Sequence, residues 1–535
     1  MKYINVLIIV LLFSLNNLFS QQEDKPKEMP KLDIPEITIV GKKAVVLPFA
    51  RKGEMLTIDY FEAKDADTSI LGERIRVPVT AGRFAQYKES VQPWRAYIEG
   101  AAGNYSTLNL FGTAGYSDIS WEASIRAGFG TTNGHVKNAD ASQFLVGGDW
   151  SSSIYTDNNF LKSFRIAANT EFLRDKFGIF GFKNYSIERT RRLFDFNTQI
   201  ISSEFKPVSF NLGLGLASLT ISDNANEASV FSPSVNASAA ADVASVGLMS
   251  RFSFETSSLD YQIPVESPGL LNFSTTAQFK FSENISAIAG LKYVYGANSD
   301  GGDQKFLFPV AILRWDAFTN FSLSAWLEPD VSSASYIKRS IENPYLIRQM
   351  VLRNEFKPIH FGLSTKYSYG IFTNDATISF AEADDTQFPF VQDGLVNLKY
   401  TDTRQFIFKF NSSMIIQQNA KIFLNGIVQS INERSTNVRL PMIPGLQLNS
   451  RGEMNLNIPM KIWLSADYFS SRKIGSVGSD ELPGYFLLNA GVSSNVFKST
   501  VLSFDVENIL NTSYDWWYGY KAPGIRLRLK LQYSL

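Results

Sequence analysis

Cysteine is missing from all 535 residues, which excludes disulfides, thiolate metal sites and a lipidated N-terminal cysteine. Histidine is nearly missing: His135 and His360 stand far apart, with no neighbours of ligand type. Neither charge sign is in excess, since Lys plus Arg and Asp plus Glu both number 51. A chain so balanced has no electrostatic reason to bind nucleic acid or an acidic surface. Apolar runs of spanning length are lacking too. The one long run, Ile4 to Leu15, falls short of the roughly 20 residues a bilayer-crossing helix needs and is cut off by Asn16 and Asn17.

That run has a different reading. An early cation, Lys2, then the apolar stretch, then the small residue Ser20 before a polar tail is the layout of a secretory signal peptide, residues 1–20, cleaved after Ser20. The chain is also rich in aromatics, 13% overall with 42 Phe, 22 Tyr and 8 Trp. Export, no cysteine and many aromatics together point to a bacterial outer membrane.

Residues 21–93 begin with "QQEDKPKEMPKLDIPE", charged and proline-rich, and are expected to form an extended periplasmic segment. From Trp94 to Leu535 the text changes to segments of about ten residues that alternate between polar and apolar, separated by Asn, Asp, Gly, Ser and Pro. A period of two is the strand period, because successive side chains point to opposite faces. In "IHFGLSTKY", Ile359, Phe361, Leu363, Thr365 and Tyr367 share one face and His360, Gly362, Ser364 and Lys366 the other. The same grammar recurs in "FSLSAWL" (321–327), "QFIFKFN" (405–411) and "KIWLSADY" (461–468). The expected fold is all-β, a large antiparallel transmembrane barrel of about 22 strands. Polar stretches at 130–142, 222–228, 296–304, 332–348, 382–394, 432–444 and 472–483 read as outer loops or inward excursions.

The final hairpin sets the faces most clearly. "RLRLKLQYSL" places Arg526, Arg528 and Lys530 opposite Leu527, Leu529 and Leu531, and "STVLSFDVENIL" alternates Leu502, Phe504 and Val506 with Ser503, Asp505 and Glu507. Pairing the two strands sets Asp505 and Glu507 on the lumen side with Arg526, Arg528 and Lys530, where opposite charges across a ladder attract. The greasy sides then meet lipid, and the last strand closes the barrel against the first. Tyr514, Trp516, Trp517, Tyr518 and Tyr520, between the strands, suit an aromatic girdle at the membrane interface.

These residues also carry a resemblance. "LSFDVENILNTSYDWWYGYKAPGIRLRLKLQYSL" resembles the C-terminal end of TonB-dependent receptors, through Asn508, Ile509, Leu510, Asn511, Tyr514, Pro523, Gly524 and Arg526. It departs from the family in ending on Leu535 where Phe is usual. Nearer the front, Glu36, Ile37, Thr38, Ile39, Val40 and Gly41 are similar to a TonB box, the segment that pairs by strand addition with a TonB-type energy transducer in the periplasm. The resemblance implies solute transport across the outer membrane, with both termini periplasmic, outer-membrane lipid around the barrel and the barrel assembly machinery as its insertion partner. It also implies a globular plug, for which the 52 residues from 42 to 93 leave little room. The plug is therefore expected to be reduced or absent. The lumen would then be filled by residues 21–93, by inward-folded loops, or by a separate plug or surface protein. The alternative function is a structural or assembly barrel, one chain of a complex whose partner supplies the plug.

Other constellations are weaker. Arg189, Arg191 and Arg192 in "RTRR", beside Glu188, could bind an anion or form lumen salt bridges. Glu382, Asp384 and Asp385, or Asp300 and Asp303, lack the spacing of a calcium loop and read as loop acidity. No nucleophile is spaced with a base around either histidine, so the expectation is no catalytic residue, no metal and no cofactor.

Overall fold

The computed structural model describes residues 94–535, apart from 119, 156–162, 182–186, 203–207, 225, 244–245, 262–264, 393, 417–418, 457 and 476–479. The proposed signal peptide, the TonB-box-like stretch and the question of a reduced plug lie outside the described residues.

The alternation seen in the sequence is realised as one antiparallel sheet in which each long strand pairs with its chain neighbours. The first strand, Trp94–Gly103, pairs along its other edge with the last, Arg526–Ser534, from Tyr97 opposite Ser534 to Gly103 opposite Arg528. That pairing closes a barrel of 22 strands. Two further segments of the sheet, Ser258–Asp260 and Asp330–Ser332, are short strips lying along a neighbour. Closure satisfies most backbone donors and acceptors within the wall, the condition for a sheet to cross a bilayer; one stretch of edge, residues 303–310, is left without a ladder partner on its second side.

The faces follow the period of two. On the last strand Leu529 and Leu531 are each 52% exposed on the outer surface, while Arg526, Arg528 and Lys530 point inward. Ile359, Phe361 and Leu363 likewise face out and Gly362 is buried inside. Gly362 is also a close approach: a Cβ there would lie 2.3 Å from the Ile378 carbonyl and 2.6 Å from the Trp326 ring.

Both chain ends of the barrel lie on one rim, here the termini rim; the opposite one is the far rim. Strands Phe372–Gln392 and Leu395–Ile416 run well past the lipid-facing band at the far rim. Residues 382–394 were expected to be a loop, and all but the turn is strand instead. The charges that suggested a loop are on the ladder, where Glu382 sits opposite Arg404 and bonds it at 3.2 Å. Residues 222–228 are similarly strand, interrupted only by a tight turn after Asp223.

Candidate functional site: the lumen and its closed mouth

Along much of its length the lumen is lined by polar side chains that pair with one another. Arg126 bridges Asp149 and Glu171, Glu453 accepts from Arg451 at 2.8 Å and Lys461 at 2.6 Å, and Asn489 donates to Asp467 at 3.1 Å. In the last hairpin Arg526 pairs with Glu507, and Arg528 reaches Asp505 at 3.3 Å. Most of these join neighbouring strands, while Arg451–Glu453 lies along one strand and Arg126–Glu171 reaches over the strand between; on a partly exposed face each stabilises by about 0.2–1 kcal/mol. The result is a polar channel wall whose charges are largely paired.

Towards the far rim the inner face changes character. Phe177, Ile179, Leu193, Leu219 and Ile221 point inward and are buried, Ile179 completely. They are covered by two loops that fold back into the barrel. One, Glu328–Asn354, carries a short helix, Tyr336–Glu342, whose N-terminus is capped by Ser335 accepting from the Lys338 N–H. The other, 508–525, brings Trp516, Tyr520 and Ala522 into the same cluster. Tyr345 and Tyr520 stack with ring centroids 3.9 Å apart, and the Tyr520 hydroxyl donates to the Gly394 carbonyl. On the opposite side, a Cβ on Gly181 would lie 2.5 Å from the Tyr520 ring, so only glycine lets that wall approach. The first loop also docks on the strand Leu395–Ile416: the Val396 N–H donates to Tyr345 at 3.0 Å and the Ile347 N–H to Val396 at 2.8 Å. Strands Ser163–Ile179 and Leu395–Ile416 are far apart in the wall, so loops that touch both cross the mouth and shut it.

Two buried arginines fasten the first loop to the wall. Arg189, with no exposed surface, holds Asp223 through two bonds of 2.6 and 2.7 Å and donates to the Pro344 and Leu346 carbonyls. Arg191 holds Asp175 in the same two-pronged way and donates to the Ser340 carbonyl. Arg348, from the loop, adds a contact of 2.9 Å to Asp223. A guanidinium fork suits this task because its five donors can serve a carboxylate and two carbonyls at once. The "RTRR" stretch is thus a strand whose inward arginines are spent on protein partners, while Glu188 and Arg192 face outward. It is not an open anion site.

A third loop joins the closure through His135. Its Nε2 lies 2.7 Å from the Lys521 carbonyl, and its ring meets Tyr105, Phe180 and Trp516 edge to face. Burial among these rings lowers the His135 pKa below its ordinary value; the Lys521 carbonyl draws it partly back and the Arg526 charge pushes it down again. The folded state therefore binds fewer protons than the unfolded one below about pH 6.5, so this contact is strongest above that pH and weakens as pH falls. Protection of residues 133–140 and 515–522, taken relative to their intrinsic exchange rates, should fall a few-fold between about pH 7.5 and 5.5, and His135→Asn should abolish that fall.

The aromatics of the last hairpin need a correction. Trp516 and Tyr520 are not at a lipid interface; they are buried in the mouth, and Tyr514 stacks on Tyr485 at 4.2 Å. Only Tyr518 of the expected girdle is largely exposed, at 49%. The loop turns inward because its aromatic rings find an apolar inner wall there. One signal for that wall was readable: in "LGLGLASLTI" (212–221) the apolar parity switches, from Leu212, Leu214 and Leu216 on the outer face to Leu219 and Ile221 on the inner one.

Below the mouth, a cavity of about 80 Å³ lies against the closing strands, lined by Tyr105, Asn109, His135, Gln143, Glu507 and Arg526 among others. The acidic stretches are consumed by arginines: Asp300 and Asp385 by Arg353, Glu382 and Asp384 by Arg434. Among the described residues no three His, Asp or Glu side chains are grouped to hold a metal. His360 meets the Glu328 carbonyl at 3.1 Å and the Trp326 ring.

No family model and no curated protein matches the sequence. Solved structures do match the fold. The FrpB iron transporter of Neisseria meningitidis aligns with a TM-score of 0.66 at 9% identity, over 83% of this chain and 82% of that one. The ferric yersiniabactin uptake receptor FyuA of Yersinia pestis gives 0.63 at 12% identity, over 84% and 81%. The ferric-catecholate import receptor Fiu of E. coli K12 gives 0.62 at 9%, over 82% and 81%. At such identities the likeness is one of architecture, and it agrees with the resemblance in the last hairpin: the chain has the closed 22-strand barrel fold of the TonB-dependent receptors.

Proposed function

We propose that this chain is an outer-membrane barrel that admits a polar solute through its lumen, with its termini in the periplasm and its far rim at the cell surface. The observation that supports this most is the mouth itself. A purely structural barrel gains nothing from a latched closure over a polar interior, whereas a transport path requires one. The neighbours named as transporters and uptake receptors make the same use of the fold plausible. Residues 36–41 would supply the contact with a TonB-type transducer, whose pull would reach the barrel through residues 42–93.

Planar-bilayer conductance of the mature chain, beside a version lacking residues 21–93, tests this reading. The expected result is a closed mature chain. If truncation leaves it closed, the loops alone seal the lumen; if truncation opens it, the N-terminal segment is a second seal. A large, constant conductance from both would overturn gated passage and favour a partner that fills the barrel.

A further inference from the structure

The wall is not uniformly zipped. Strand Asp303–Phe318 pairs with Ile285–Ala297 without a break from Asp303, opposite Ala297, to Trp315, opposite Ile285. On its other edge it pairs with Phe321–Leu327 only from Ala311 downward to Phe318. Above that point the chain leaves it and stays with the strand Glu355–Tyr369: the Glu328 N–H donates to the His360 carbonyl at 2.9 Å, and Asp330–Ser332 pairs with Glu355–Lys357. The edge formed by residues 303–310 is therefore parted from residues 328–332.

Prolines mark this seam. Pro309 lies in the parted edge, Pro329 in the segment opposite, and Pro358 where the next ladder shifts register between Phe356 and Ile359. Each lacks the N–H that a closed ladder would use, and proline is tolerated in sheets mainly at edges and bulges. At the same depth the outer surface is apolar. Leu307, 64% exposed, sits opposite Tyr293, Ile359 and Phe361 are exposed on the strand beyond the seam, and Leu313 is exposed lower on the same strand as Leu307. The apolar band ends one step higher, where the Lys305 ammonium lies over the Tyr295 ring at 5.4 Å. With the termini periplasmic, this is the depth of the outer leaflet.

Behind the seam the lumen face is apolar as well. Phe306, Phe308, Leu270, Val294 and Phe356 form a cluster with Val331, separate from the one under the mouth. Phe306 stacks on Phe308 at 5.1 Å and meets Phe356 at 5.2 Å. The cluster is bordered by polar inward positions, Asn272 and Lys292 among them, and the Lys292 ammonium donates to the Pro329 carbonyl at 3.0 Å.

We propose that the seam is a lateral port, through which the acyl chain of an outer-leaflet lipid or lipid-like amphiphile reaches the phenylalanine cluster. An open sheet edge facing hydrocarbon is costly, and its persistence here is explained if the gap between the strands is used. Lipid is what bathes the seam from outside at this depth, and a cluster without charge accepts an acyl chain and not a headgroup. The headgroup would stay at the level of Lys305. This port is distinct from the axial path through the mouth, and either conductance result above leaves it standing.

The test uses the unmodified full chain in vesicles of phosphatidylethanolamine bearing a photoactivatable group on its acyl chain, with adducts assigned residue by residue by mass spectrometry. Inward Phe308, Phe356 and Leu270 should be labelled about tenfold or more above the inward control residues Ile407 and Ile427, four and five strands further along the wall, because even two buried methylenes favour the apolar site by that factor. Labelling of the three at the control level, with outward Leu307 and Leu313 labelled strongly, would overturn the proposal. Phe308→Asp should lower labelling at Phe356 while leaving Leu313 unchanged; equal labelling at Phe356 in both chains would also count against it.

Discussion

Replacing Arg189 by methionine should release the loop that shuts the mouth. The substitution keeps the length and much of the apolar volume of the side chain but removes every donor. The Pro344 and Leu346 carbonyls lose their partner, and Asp223 keeps only Arg348. Breaking a buried ion pair by removing one member costs about 3–5 kcal/mol. Because Arg348 still reaches Asp223, the low end applies, and about 3 kcal/mol lowers the docking equilibrium of the loop by a factor of about a hundred. Hydrogen exchange of residues 335–350 should accelerate by about that factor, while the barrel strands exchange as before. In a chain lacking residues 21–93 the same change should raise the open probability of the channel in a planar bilayer. Unchanged protection of 335–350 would mean that the aromatic stack of Tyr345 on Tyr520 holds the loop without the arginine. Arg191→Met, which removes the bond to the Ser340 carbonyl, should act in the same direction.

The loop, in other words, is held by two different kinds of force at two places. The stack and the apolar inner wall supply burial, which is non-directional and would tolerate sliding. The arginines supply direction, since each must point at a particular carboxylate and particular carbonyls to avoid being a buried charge without a partner. Opening the mouth requires both to yield, and the arginines decide where the loop returns.

What the sequence revealed follows from this division. The barrel was legible because its physics is local: each side chain's face is set by parity, so "RLRLKLQYSL" states which residues meet lipid without knowledge of any neighbour. The charge pairing of Asp505 with Arg528 followed from the same parity plus one assumed hairpin. The closure of the mouth was not legible in this way. Trp516 and Tyr520 carry the same side chains whether they lie on a membrane or fold into a lumen, and only the inner wall built from strands several hundred residues earlier decides between them. Likewise Arg189 and Arg191 looked like available cations because their carbonyl partners, in 340–346, are about 150 residues away in the chain. Residues 382–394 misled for a related reason: charge density signals a loop only when the charges face water alone, and here Glu382 pairs with Arg404 across two extended strands, Asp384 with Arg434 and Asp385 with Arg353.

The faces themselves permit a second large effect to be stated, with adjacent residues as mutual controls. Leu531 lies near the middle of the outward face of the last strand, opposite Leu502 on one side and Gly100 on the other. Arginine there must carry its charge into hydrocarbon, at a cost of about 2–4 kcal/mol at the bilayer midplane. Lys530, the residue before it, points into the lumen, where Lys530→Leu should cost less than about 1 kcal/mol because only an exposed cross-strand attraction is lost. Denaturant unfolding in lipid vesicles should therefore show a marked loss for Leu531→Arg and little change for Lys530→Leu. In detergent micelles, which deform around a charge, the gap should shrink. The contrast reads the surroundings and not the residue: the same strand in a water-soluble sandwich would pack its leucines on a second sheet, and its unfolding would be indifferent to the presence of a bilayer. Equal losses for both variants in vesicles would mean that the outward leucines meet something other than lipid.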